Sequence, residues 1–263
     1  MLLRELKINL KTLILYIIIL SVMFLLIFGV YPSLITKETK LMLDEIMSTM
    51  PEGMLATFNM DIIGIENAYG WFKTEGYIFL VLIGGVYASI LGATILVKEE
   101  NDKTIEFLYS KPINRNQIVT SKILCGMINI FTFTCIVTFF NFIGLKNVGD
   151  FNIKEFFMLN ISPILVYYLF FFTSLCISTF MKKTKKSMSI GIALVFINYA
   201  MQFMGGIASE LEILKKISYF EFVSSRYIVL NNALDMKYIG VGIFIILFLI
   251  VITYYRYNKK EFI

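Results

Sequence analysis

Six stretches of this 263-residue chain are apolar and free of Asp, Glu, Lys and Arg: about 12–31, 77–97, 123–145, 158–181, 187–207 and 238–255. A helix needs roughly 20 apolar residues to cross the hydrocarbon core of a bilayer, and the stretches match that length. A water-soluble fold is excluded by the same pattern. Hydrophobic residues make up 58% of the chain, charged residues only 16%, and mean hydropathy is +0.77. A soluble globule of this size has too little interior to hide so much apolar surface. In lipid each backbone polar group needs an internal partner, which a helix supplies within itself. The fold class expected is all-α: a polytopic membrane protein, one transmembrane domain over residues 1–263, with six spans.

Basic residues set the sidedness. With the N-terminus inside, 15 of the 24 Lys and Arg fall in 1–11, 98–122, 182–186 and 256–263, although the opposite segments are much longer. The positive-inside rule then predicts cytoplasmic N- and C-termini. The net charge of +5 therefore reads as membrane topology, and nucleic acid is not an expected partner. Usage rich in Ile, Lys, Asn and Phe suggests an AT-rich bacterial genome and hence a bacterial plasma membrane. Arg4, Lys7 and Lys11 precede the first run, but Val30-Tyr31-Pro32-Ser33 offers no small-x-small cleavage site. The run reads as an uncleaved helix.

Several chemistries are ruled out early. Cys125, Cys135 and Cys176 all lie in apolar runs, so they are not a disulfide framework. The chain has no histidine, which removes imidazole metal sites and His acid–base catalysis. No catalytic residues, metal or bound cofactor are expected.

The inner segments differ in character. Lys182-Lys183-Thr184-Lys185-Lys186 is a minimal basic turn suited to anionic headgroups. Leu2, Leu3, Leu6 and Leu10, with charges between them, have the spacing of an interfacial amphipathic helix. The loop 98–122 is longer than a connection requires. Ile105, Leu108 and Tyr109 share one face of a helix continuing out of the membrane. Pro112 ends that helix, because the residue before a proline avoids the helical region. Asn114 then caps a new helix, with Gln117 at the reciprocal position of a capping box. An elbow follows, acidic at its start and basic after its turn.

The run Gly92…Glu99-Glu100…Lys103-Thr104-Ile105-Glu106-Phe107-Leu108…Lys111-Pro112-Ile113-Asn114-Arg115…Ile118…Ser121-Lys122 resembles the membrane subunits of type-2 ABC exporters. The entry Arg4-Glu5-Leu6-Lys7 and the tail Lys260-Glu261-Phe262 also resemble that family, as do helix count and loop lengths. Lys103 stands where the family usually has Gly, and Asn114 replaces a common Ser. The resemblance implies a permease that pairs with a second permease subunit, identical or not, above two cytosolic ABC ATPase subunits. It makes the elbow the coupling helix, with Glu99, Glu100, Lys103, Thr104, Glu106, Phe107, Leu108, Pro112 and Arg115 as ATPase-coupling residues. ATP and Mg would sit on the partner ATPase. This chain has no Gly-x-x-x-x-Gly-Lys-Ser/Thr loop to cradle phosphates.

Other features carry two readings each. Gly84, Ala88 and Gly92, with Gly85, Ser89 and Ala93 one residue on, form small faces for close helix approach, within the subunit or across a dimer. Asn129, Thr132, Thr134, Thr138 and Asn141 in the third span, and Asn198 and Gln202 in the fifth, either bond between helices or line a cavity. Pro163 marks a kink in the fourth span. Outer segment 32–76 carries Leu43, Ile46, Met47 and Met50 on one helical face, then the interface-type aromatics Tyr69, Trp71 and Phe72. Segment 208–236 reads as a similar interfacial anchor or as a cover over a cavity exit. An ion-coupled carrier is the alternative function, but it usually needs ionisable groups inside the spans. An intramembrane enzyme lacks its catalytic residues. The cargo expected is hydrophobic or amphipathic: an antimicrobial peptide, a drug or a lipid.

Sidedness is testable in a cysteine-free background. A cysteine at position 184 should react with an impermeant maleimide only in inverted vesicles, and one at position 50 only in intact cells. The reverse labelling would refute the topology.

Overall fold

The computed structural model describes residues 1–50, 53, 55, 60, 64, 67–105 and 114–260. All regular structure among these residues is helical. Among the described residues six helices are long and apolar enough to cross a membrane: Leu2–Leu34, Ala68–Ile95, Arg115–Lys146, Ile153–Ser178, Thr184–Ile207 and Met236–Lys259, here spans one to six.

Every span begins earlier than its apolar run, and spans one, two and four depart most in how they start or continue. The N-terminal leucines belong to span one itself, a single 33-residue helix, so no separate interfacial helix precedes it. Span two begins at Ala68, through a π-helical stretch Phe72–Gly76. Lys73 and Glu75 lie in this added stretch, ahead of the apolar run, and both are partnered. Lys73 Nζ pairs with Glu155 of span four at 3.3 Å, and Glu75 accepts from the Trp71 indole at 3.0 Å. Trp71 and Phe72 are buried against Phe24, Phe28 and Phe156. They pack inward instead of standing at a lipid interface. Span four is interrupted at Ser162, and Pro163 opens its second half. Proline donates no backbone hydrogen bond, so a helix restarts there more easily than it continues.

Spans two and four are the most enclosed, and spans five and six the most exposed. Span four runs along span two, span five leans on span two, span one on span three, and span six on span four. The close contact of spans two and four rests on missing side chains. A Cβ on Gly84 would enter the Tyr167 ring, and one on Gly92 would enter the Phe171 backbone. Ala88 between them is fully buried. The Gly84–Ala88–Gly92 stripe thus packs within the chain. On the adjoining face Ser89 Oγ meets Ser174 Oγ at 2.6 Å and donates to the Gly191 carbonyl at 2.7 Å, joining spans two, four and five. A hydroxyl in lipid needs such a partner, and small residues let backbones come near enough to be one.

The two outer segments behave differently. Helix Lys37–Thr49 is capped by Thr36 and Thr39 and leaves Leu41, Met42 and Ile46 exposed. Segment 208–235 instead folds into the bundle. Its short helices Glu212–Ile217 and Ser225–Asn231 flank a 3-10 turn, Tyr219–Val223, whose Phe220, Phe222 and Val223 are buried. The Tyr77 hydroxyl donates to the Val223 carbonyl at 2.6 Å. The turn Tyr219–Val223 makes this segment a packed cap, while helix Glu212–Ile217 buries no residue and leaves Ile213 and Ile217 exposed.

Gly92→Ala should lower the thermal midpoint in detergent, with a loss of about 1–3 kcal/mol from overpacking. Gly149, with no atom near its missing side chain, is the control: Gly149→Ala should leave the midpoint unchanged.

Candidate functional site

The buried stripe of span one is Leu13, Ile17, Leu20, Phe24, Phe28 and Tyr31. Traced backward at helical spacing it reaches Asn9 and then Glu5, which is 3% exposed. The buried stripe of span three, traced the same way, reaches Lys122, and that of span two, followed forward past its end at Ile95, reaches Glu99. All three ionisable groups meet. Lys122 Nζ lies 2.7 Å from both Glu99 carboxylate oxygens and 3.9 Å from Glu5 Oε2. It also donates to the Ile95 carbonyl at the end of span two. Lys122 is wholly buried and Glu99 nearly so. A desolvated ammonium survives only where carboxylates and carbonyls replace its water.

A second layer surrounds this pair. Glu100 Oε2 sits 2.6 Å from Lys260 Nζ, which also donates to the Met181 carbonyl at the end of span four. Arg115 reaches across to span six, its Nη1 donating to the Asn258 and Lys260 carbonyls at 2.8 and 2.9 Å. A guanidinium over a helix C-terminus satisfies orphan carbonyls and the negative end of the helix dipole. Asn116 and Asn258 add a bond at 2.7 Å. Asn101 Oδ1 accepts from the Thr184 backbone at 3.2 Å, and Ser187 donates to the Ala93 carbonyl at 2.7 Å, tying in span five. Ends of all six spans therefore converge on the base of the elbow.

The elbow's first turn is a helix stop. Helix Lys98–Asn101 ends with Thr104 N–H bonding to the Glu99 carbonyl at 2.8 Å and Lys103 N–H to that of Glu100 at 3.2 Å. This pair is the Schellman arrangement, whose outer residue adopts a left-handed backbone and is usually glycine. Lys103 occupies it with φ 55°. The helix therefore breaks at Asp102–Lys103 and does not continue out of the membrane through Ile105. The far side of the elbow opens with the capping box, Gln117 Oε1 accepting from the Asn114 backbone at 3.1 Å.

Of the coupling residues named from the sequence, Glu99, Glu100 and Arg115 gather at this base, while Lys103 and Thr104 stand exposed at the turn. Glu106, Phe107, Leu108 and Pro112 lie outside the described residues, as do Tyr109, Glu261 and Phe262. The polar span residues have local partners. Asn129 donates to the Cys125 carbonyl at 2.8 Å. Asn198 Oδ1 accepts from the Tyr219 backbone at 3.1 Å, and Gln202 donates to Glu221 at 2.8 Å. The last two hold the cap segment against span five. Glu5 and Lys122 appear in the sequence only as motif edges. Their place on the buried stripes is the signal that marks them.

A bundle of six apolar helices, with its buried ion pairs gathered at the span ends, defines a polytopic α-helical membrane protein. A family model described as ABC-2 family transporter protein matches residues 3–262. The chain belongs to this family and is the membrane component, or permease, of an ABC transporter. No curated protein and no solved structure matches it.

Two substitutions should move stability in opposite directions. Lys122→Met strands two buried carboxylates and should cost about 3–5 kcal/mol. Lys103→Gly relieves a left-handed side chain and should raise stability by up to about 1 kcal/mol. Thermal unfolding of both variants in the same detergent measures them.

Proposed function

We propose that this chain is the permease subunit of an ATP-driven exporter in a bacterial plasma membrane. It works as a dimer, identical or mixed, with its termini and elbow in the cytoplasm. Two copies of a separate ATPase bind beneath it and carry ATP and Mg. The elbow 98–122 docks in a groove of that ATPase, with Phe107 and Leu108 filling an apolar recess and Glu106 pairing at its rim.

The observation that supports this reading is the buried Lys122–Glu99–Glu5 cluster under the elbow. A docking helix does mechanical work only if its base cannot slide relative to the spans. Breaking a buried ion pair is expensive, so displacement of the elbow is passed to spans one, two and three instead of being absorbed locally. The Glu100–Lys260 and Arg115 contacts extend the same connection to spans four and six. An ion-coupled carrier fits less well, because the six apolar runs hold no Asp, Glu, Lys or Arg. Export, rather than uptake, follows the family resemblance, and an amphipathic or hydrophobic cargo suits the apolar spans.

The purified chain should turn over no ATP and should co-purify with a cytosolic ATPase. Replacing Glu106 and Phe107 together by Ala should weaken that capture by about 2 kcal/mol or more, the usual effect of truncating an aromatic interface anchor. Folding and membrane level should be unchanged. Pull-down and transport-linked ATP turnover at wild-type levels in this variant would reduce the elbow to a connection.

A further inference from the structure

An apolar cavity of about 490 Å³ lies at the end of the bundle opposite the elbow. It opens where span four is interrupted at Ser162, between that span, the start of span six and the cap segment. Its volume falls within the roughly 300–1,000 Å³ of small-molecule sites. Five aromatic rings line it, Phe157, Tyr168, Phe222, Tyr227 and Tyr238, with Phe222 and Tyr238 centred 5.0 Å apart.

The charges on its wall are one-signed. Glu221 and Asp235 both line it, and no Lys or Arg is among its described lining residues. Glu221 accepts from Gln202 at 2.8 Å and pairs with Lys215 Nζ at 3.9 Å, with Arg226 a further nearby cation off the cavity wall. Asp235 caps span six through the Lys237 backbone at 2.9 Å. Burial raises the Glu221 carboxyl above the usual carboxylate range. Carboxylates beside aromatic faces, over an apolar floor, select a weakly hydrated cation carried on an apolar body. An anionic lipid or fatty acid would meet repulsion at the same place.

We propose that this cavity binds an amphiphile with an ammonium head and an apolar tail, the head towards Glu221 and Asp235. The assignment deepens the exporter reading, since it rests on that reading in taking the amphiphile as cargo. Binding is measured on the chain without its ATPase, so the two succeed or fail separately.

The experiment places the full chain in lipid nanodiscs with a photoreactive alkyl-trimethylammonium. A second probe carries the same photoreactive alkyl chain on a sulfate head. Adducts are mapped by mass spectrometry. The ammonium probe should label residues 157–168 and 221–239, and the sulfate probe about tenfold less, as expected for a charge-assisted contact. Glu221→Gln with Asp235→Asn should cut ammonium labelling by a similar factor. Glu221 also braces Gln202, so Asp235→Asn, which keeps a competent helix cap, is read alone and should show a partial loss. Equal labelling by both heads, wild-type labelling of the neutralised variants, or adducts only on lipid-facing positions would overturn the assignment. Selective labelling, together with no ATPase captured in a separate pull-down from membranes, would uphold the site and sink the exporter reading.

Discussion

A lysine ammonium with no access to water must find carboxylates, and Lys122 finds two of them on two other helices. Glu99 arrives from the turn after span two and Glu5 from the first turns of span one. Neither position is free to drift, because each lies on the stripe of its helix that faces the core. The three helices are therefore set in both rotation and depth at this end. Everything at the elbow base is built around that point: the Schellman stop at Lys103, the capping box at Asn114 and the Arg115 cap on span six. An ion pair of this kind adds little net stability compared with apolar packing. Its value is specificity, since few other registers of the helices satisfy it.

Along the middle of the bundle a different force prevails. Lipid tails are as apolar as leucine, so helices gain nothing there from hiding side chains from water. Close approach and hydrogen bonding remain. Gly84 and Gly92 let span four press Tyr167 and Phe171 against span two, and the Ser89–Ser174–Gly191 contact pins span five to both. The residues that bond are small or hydroxylated, and the residues that fill are aromatic. This division of labour explains why a chain so rich in Phe and Tyr still packs tightly.

At the opposite end the bundle is closed by aromatic packing and a cap segment. The cap 208–235 is inserted through Phe220, Phe222 and Val223 and held by Asn198, Gln202 and Tyr77. The break at Ser162–Pro163 leaves a gap beside it. The end near the elbow is thus cross-braced by charge, while the other holds an open apolar space.

The sequence by itself determined the number of spans, the all-helical class and the end of the bundle at which the basic residues gather. Hydropathy and charge are properties of individual residues, and a bilayer reads them one segment at a time. The family motif and the Asn114–Gln117 cap were legible for the same reason, being local. What only the tertiary structure decided depends on which helix stands beside which. Lys73 and Glu75 stand outside the apolar run 77–97, yet Glu155 and Trp71 supply the partners that let span two include them. Trp71 and Phe72 looked like interface anchors until Phe24 and Phe28 enclosed them. Lys103 looked like a mere departure from a family glycine until its left-handed backbone gave the glycine a reason. Glu5, Glu99 and Lys122 lie far apart in the chain, and no periodicity in one helix reveals the charge waiting on another. Pairing across helices is the information that a one-dimensional reading lacks, and in this protein it builds the elbow's base.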